Sequence, residues 1–311
     1  MAIDVTTILK GPALVKYDGA TFYSKGDISF STAHNTMNIE VDRYGKVDER
    51  VTDDIITVSF TPAGEWESLG VVYPYLTMPI GSYITGASDK PLVLHSFAGT
   101  KITLHNAAVT KMPNIRGSSK ETLLGDVEFT SFVKNNVERT TAASRYTVAS
   151  EALTDTSFDP ANIIVQPYTL SWGDAPWANL ATKEGFSLDW SLGLTDVETD
   201  KDGIVTKQLS NLDVSVKAQV MGISEAQLLD KMLIQGAGAA RGRSLNAGAD
   251  NLVITGTGVY IIVYGAALKT SPQMFSRTNL RIGELEWIAT RTFTAGAPNP
   301  LAFVGEEDPE A

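Results

Sequence analysis

Ile39-Glu40-Val41-Asp42-Arg43-Tyr44-Gly45-Lys46-Val47 and Val197-Glu198-Thr199-Asp200-Lys201-Asp202-Gly203-Ile204-Val205 align at a displacement of 158 positions, sharing Glu, Asp, Gly and Val. Further blocks keep that displacement to within one residue. Ile102-Thr103-Leu104-His105-Asn106-Ala107-Ala108-Val109 aligns with Ile261-Ile262-Val263-Tyr264-Gly265-Ala266-Ala267-Leu268, and Pro113 aligns with Pro272. Gly125-Asp126-Val127-Glu128-Phe129 then aligns with Gly283-Glu284-Leu285-Glu286-Trp287. One short match between strand-like segments arises by accident. One displacement held through every block identifies a tandem duplication.

Each copy therefore presents the same order: strand, strand, an acidic glycine turn, a long strand, a helical segment, then two or three strands bracketing a Pro-containing loop. Alternation carries most of this. Ile56, Val58 and Phe60 alternate with Thr57 and Ser59, and Phe186, Leu188 and Trp190 alternate with Ser187, Asp189 and Ser191. Period two sends each set to its own face. Tyr260-Ile261-Ile262-Val263-Tyr264 has no polar side and reads as a strand covered on both faces. In copy two the spacing predicts a helix over Ile223 to Leu233, with Ser224 as cap, Gln227 completing a capping box, and Ile223 and Leu228 as a hydrophobic staple. In copy one the helix position is Ala63 to Tyr75, where Trp66, Leu69 and Val72 keep helical spacing and Gly70 and Pro74 weaken it.

The result is a mainly β chain. Its first domain, with an N-terminal arm, is expected over 1–138, a Thr, Ala, Ser and Asp-rich linker over 139–164, and the second domain over 165–294. An acidic tail follows over 295–311, carrying Glu306, Glu307, Asp308 and Glu310. A length of 311 residues leads to the same expectation of two separate cores. With no cysteine in the chain, disulfides, thiolate metal sites and cysteine nucleophiles are excluded, so stability comes from packing and assembly.

A formal charge of −11 argues against tight nucleic-acid binding, because Lys and Arg supply most non-specific affinity for phosphate. No export signal is expected, since Asp4 stands where a secretory leader carries positive charge. The longest apolar run, Val259 to Leu268, is too short to cross a bilayer as a helix.

No catalytic or cofactor-binding constellation emerges, and no enzyme activity is expected. His34, His95 and His105 form no metal-binding spacing, and His105 aligns with Tyr264. Asp200-Lys201-Asp202-Gly203 mimics the centre of a calcium loop, but Leu209 occupies the place of the bidentate Glu, so a strand turn accounts for it better. Gly236, Gly238 and Gly242 follow a helix where a phosphate loop follows a strand. Trp66, Trp172, Trp177, Trp190 and Trp287 admit a sugar platform, although Trp190 and Trp287 lie on apolar strand faces that read as core.

The opening Gly11-Pro12-Ala13-Leu14-Val15-Lys16-Tyr17-Asp18-Gly19-Ala20, the strands around Glu40 and Val58, and the block from Ala107-Ala108-Val109 to Gly125-Asp126-Val127-Glu128-Phe129 resemble major tail tube proteins of long-tailed bacteriophages. The resemblance extends over both copies. It implies two tandem β-sandwich or barrel-like tail tube domains, each with one flanking helix, whose strands join those of neighbours around a central channel. Six such domains form a ring in that family, so two per chain imply homotrimeric, pseudo-hexameric rings stacked as a tube. It further implies a place in the virion tail after assembly in the host cytoplasm. The implied partners are other copies of the chain, tail terminator, tape measure and distal tail proteins, and passing genomic DNA held without specific contacts; no membrane is implied.

A DNA passage should not bind DNA. Glu40, Asp42, Glu128, Glu198, Asp200, Glu284 and Glu286 are therefore the candidate channel-lining residues, with solvation of an outer wall as the other account of them. The alternative function is a carbohydrate-binding or accessory tail-tip or adhesin module.

Overall fold

The computed structural model describes residues 13–63, 69–118, 122–134, 145–154, 168–175, 177–199, 202–224, 226–227, 249–256, 259–270, 273–275, 280–291, 293–294, 297–305 and 307–309. The chain is mainly β. The first eleven strands are β1 (Ala13–Tyr17), β2 (Ala20–Phe22), β3 (Ser29–Val41), β4 (Gly45–Phe60), β5 (Leu92–Ser96), β6 (Thr100–Leu104), β7 (Asn106–Lys111), β8 (Ile115–Gly117), β9 (Thr122–Leu124), β10 (Val127–Phe132) and β11 (Tyr146–Ser150). The remainder are β12 (Thr169–Trp172), β13 (Ala181–Thr199), β14 (Gly203–Met221), β15 (Asp250–Gly256), β16 (Val259–Thr270), β17 (Gln273–Phe275), β18 (Leu280–Ile282), β19 (Leu285–Ala289), β20 (Phe293–Thr294), β21 (Ala297–Pro298) and β22 (Ala302–Gly305).

The strand order repeats. In the first half β3-β4-β10-β7 form one sheet and β11-β6-β5-β1-β2 another. In the second half β13-β14-β19-β16 follow the first order, and β22-β16-β15-β12 follow the second. Register repeats as well. Phe129 lies opposite Val58 and Val109, and Trp287 lies opposite Val216 and Leu268. Both long hairpins break register at two matching places, after Asn35 and Ile39 in β3 and after Gly193 and Val197 in β13, and β13–β14 has a further irregularity between Thr182 and Phe186. A bulge inserts an unpaired residue and bends its strand, so bulges at equivalent positions give the hairpins the same bends. Each hairpin turns on a glycine with left-handed φ, Gly45 at 69° and Gly203 at 64°, a conformation that costs glycine nothing. Asp202 lies in the turn before β14, and Asp200 and Lys201 lie outside the described residues.

One chain path differs. β16 runs unbroken where the first half has β6 and β7, bending at Gly265, whose φ is 55°. It therefore belongs to both sets of pairings, and the two sheets of the first half become a single sheet in the second, which β8 and β9 of the first half extend to nine strands.

The cores are equivalent but not separate. Tyr17 donates to the carbonyl of Ala107 at 3.1 Å and packs on Phe129 at 4.8 Å between ring centres. Trp172 donates to the carbonyl of Ala266, the repeat partner of Ala107, at 2.9 Å and packs on Trp287 at 5.9 Å. These side chains belong to one continuous hydrophobic cluster that runs through both halves. The expectation of two cores is corrected. Tyr73 packs on Trp190 with ring centres 5.3 Å apart and the rings tilted, the Trp190 indole donates to the carbonyl of Pro113, and the Leu301 N–H donates to the carbonyl of Leu76, so packing passes from one half to the other without a polar layer.

Two boundaries also move. β11 lies inside the segment assigned to the linker, and β22 inside the segment assigned to the acidic tail; each closes its half by pairing with β6 or β16. Of the helix expected over Ala63 to Tyr75, 64–68 lie outside the described residues, Leu69 is α-helical, and two short 3-10 turns, Gly70–Val72 and Pro74–Leu76, follow it. Pro74 has no N–H to continue an α-helix and Gly70 disfavours one, while Leu69 and Val72 are still buried as the spacing predicts. In copy two the capping box forms: the Ser224 N–H donates to Gln227 Oε1 at 2.9 Å and the Gln227 N–H donates to Ser224 Oγ at 3.3 Å. The body of that helix, with Leu228, lies outside the described residues.

Candidate functional site

Two surfaces stand out: a polar sheet face repeated in both halves, and the long hairpins. On the polar face, Ser29, Ser59, Glu128 and Lys111 form one cross-strand row, and Ser187, Lys217, Glu286 and Thr270 form its repeat. Side chains in such rows are neighbours across the strands. Glu128 accepts a hydrogen bond from the Thr110 hydroxyl at 2.9 Å. Glu286 accepts one from the Thr270 hydroxyl at 3.0 Å and pairs with Lys269 at 3.4 Å. Partial burial pushes the Glu286 carboxyl up, but the Thr270 hydrogen bond and the charges of Lys269 and Lys217 outweigh it, leaving its pKa below the ordinary value.

The seven candidate carboxylates do not form one set. Glu128 and Glu286 occupy the polar face at equivalent positions. Glu284, exposed in the loop before β19, lines a cleft with Arg116, Glu184, Asp189 and Lys217, where both signs of charge meet. Glu40, Asp42 and Glu198 are exposed at the hairpin tips, and Asp200 lies outside the described residues. Strand alternation puts Glu40 on the face of Phe30 and Glu198 on the face of Leu188, opposite to Glu128 and Glu286. The two faces of each hairpin thus exchange character along its length. Ser29 and Ser31 share a face with Ile39 and Val41, and Ser187 and Asp189 share one with Val197.

The contact between the halves was not visible in the sequence. β8 adds antiparallel to the outer edge of β13, with Ile115 opposite Leu188, Arg116 opposite Ser187 and Gly117 opposite Phe186. Its close approach depends on small residues, since a Cβ on Gly185 would meet the Gly117 carbonyl oxygen at 1.6 Å. On the other side of the hairpin, the Gly81 N–H donates to the carbonyl of Leu209 at 2.7 Å, the Leu209 N–H to the carbonyl of Ser82 at 2.9 Å, and the Ile84 N–H to the carbonyl of Lys207 at 2.9 Å. The Thr85 and Thr206 hydroxyls complete this seam at 2.6 Å.

Copy one therefore covers both edges of the copy-two hairpin. The copy-one hairpin has no such cover among the described residues, where β3 ends its sheet. Leu188 is 0% exposed and its repeat partner Phe30 is 44% exposed; Leu209 is 0% exposed and its partner Val51 is 59% exposed. Met37, Val41 and Val47 are exposed on the same hairpin.

The remaining candidates are absorbed by the fold. Trp172, Trp177 and Trp287 are buried, Trp190 is half-buried, and Trp66 lies outside the described residues, so the described tryptophans form no open platform. His95 is buried, its Nε2 2.8 Å from the carbonyl of Glu151. Desolvation and nearby Lys134 hold the His105 imidazole below its ordinary pKa. Among the described residues, no group of three or more His, Asp or Glu side chains is placed to hold a metal ion, and no helix is long and apolar enough to cross a membrane. No protein-family model matches the chain, and no curated protein sequence matches it.

Proposed function

We propose that this chain is a structural virion protein that joins as homotrimeric, pseudo-hexameric rings and stacks into a phage tail tube through which DNA passes. The observation that carries this reading is the contact between its own halves. That contact is heterologous: a short hairpin of one copy meets the edge of a long hairpin of the other. Between repeated units a heterologous contact propagates, and it closes into a ring when its rotation permits. Three chains of two copies supply six positions. The tail tube resemblance of the sequence points the same way.

In this reading the repeated polar face lines the channel, with Glu128 and Glu286 recurring around it. Their charge discourages phosphate binding, while Lys217 and Lys269 offset part of the charge of Glu286. Ser and Thr fill much of the rest of the face, and its two lysines, Lys111 and Lys217, each stand opposite one of the glutamates.

Negative-stain microscopy and native mass measurement of concentrated protein and of particle-derived assemblies test the proposal. Rings of three chains with a central hole, and tubes built from them, are the expected result. A particle-derived ring of two or four chains overturns it.

A further inference from the structure

The internal contact has two halves, β8 and the edge of β13, and the duplication supplies a second example of each. The counterpart of β13 is β3. The counterpart of β8 is β17, because hairpins β8–β9 and β17–β18 coincide strand for strand at a displacement of 158 positions and carry the same antiparallel register. Among the described strands β17 pairs only with β18, and β3 pairs only with β4. The chain thus carries one engaged pair and one open pair of the same type.

Resting on the ring reading above, we propose that β17 of one chain adds antiparallel to the Ser29–Phe30 end of β3 in a second copy of this chain, placing Gln273 opposite Phe30 and Met274 opposite Ser29. Charge and polarity do not select the occupant here; repetition does. Leu188 and Leu209 are covered because copy one sits against their hairpin, and the apolar side chains at the same positions of the other hairpin, Phe30 and Val51, lie open. An exposed apolar edge strand invites strand addition, and strand addition from an identical chain satisfies it without leaving a new edge when the ring closes. The two contacts are similar without being identical. Gly117 and Gly185, which permit the closest approach inside the chain, align with Phe275 and Asp27, so the shared geometry is confined to the Phe30 end.

The absence of native cysteine makes the test direct. Opposed residues of an antiparallel pair have Cα atoms about 4.5–5.5 Å apart, within disulfide reach. Phe30→Cys is made in one chain and Gln273→Cys, Met274→Cys and Phe275→Cys singly in others. The variants are mixed during assembly under mild oxidation and analysed on non-reducing gels. The mixtures should yield a band of twice the chain mass, strongest with Gln273→Cys, while each variant alone yields far less. Rings or tubes that form with no such band at any of the three positions overturn the strand pairing and leave the ring reading standing. Cross-linked dimers that never form rings support the pairing and overturn the ring. Phe30 is largely exposed, so its substitution leaves folding intact; circular dichroism and the unchanged denaturation midpoint of the Phe30→Cys chain verify this. A correctly folded pair that stays monomeric and unlinked at every concentration overturns both.

Discussion

The two long hairpins are built alike and live in different surroundings. β3–β4 and β13–β14 share their turn glycine, their two bulges and their register with the strands beside them. Their burial nevertheless diverges: Leu188 and Leu209 are inaccessible, whereas Phe30 and Val51 lie open. Local sequence therefore sets the shape of such a ribbon, and its neighbours decide which of its apolar positions stabilise the chain. At the hairpin positions that differ, Leu188 against Phe30 and Leu209 against Val51, an apolar side chain contributes to the isolated chain only where the other copy covers it.

The strongest way to break this comparison is to truncate its equivalent cores. Phe129→Ala and Trp287→Ala each empty a fully buried site and should each cost about 3–5 kcal/mol in denaturant unfolding. Because one hydrophobic cluster runs through both halves, either variant should unfold in a single transition. Two resolved transitions, with one half unaffected, would show that the halves are energetically independent.

The sharper contrast lies at the surface that differs. Leu209→Ala should destabilise the monomer by about 2–5 kcal/mol, and Val51→Ala by no more than about 0.5 kcal/mol. Equal losses would remove the argument that the cover from copy one matters. In assembled material the order should change, since Val51 and Phe30 then become interface residues. A Val51→Asp chain should fold with an unchanged midpoint and raise the concentration needed for ring formation.

Charge provides a smaller, functional test. Glu128→Lys together with Glu286→Lys should leave rings intact and slow genome ejection at low salt, with the defect relieved at high salt as phosphate contacts are screened. Glu40→Lys together with Glu198→Lys, on the opposite hairpin face, should not reproduce that salt-dependent defect. If the two pairs behave alike, the division of the carboxylates into two faces is wrong.

The smallest effect concerns Glu286 itself. Its folded pKa is lowered, so its contribution to stability is fully present above the unfolded carboxylate value and is lost as pH falls through the folded one. A partly exposed pair with Lys269 contributes at most about 1 kcal/mol. Glu286→Gln should therefore flatten the acid limb of the stability curve slightly and leave neutral-pH stability within that margin, as read from denaturant midpoints across pH.

The sequence by itself determined the duplication, the two glycine turns, the alternating strands and the burial of Trp287, because each depends on residues near one another or on a displacement that can be counted. The capping box at Ser224 and Gln227 was legible for the same reason: its two hydrogen bonds close over three residues. Tertiary structure alone decided the rest. β11 is exposed at every position and β22 is a four-residue run, Ala302–Gly305, without a polar side chain, so neither sequence carries the alternation that marks a half-buried strand. The sides taken by Glu40 and Glu198 follow from β3 staying continuous from Phe30 to Glu40 and β13 from Leu188 to Glu198, while the bulges there fall on β4 and β14, a matter of pairing that no single strand records. The three-residue strand β8, with its glycine at the contact, has too little apolar pattern to announce a partner. It finds one because folding brings the edge of β13 beside it, and an unpaired backbone edge is satisfied by whatever strand lies within hydrogen-bonding reach.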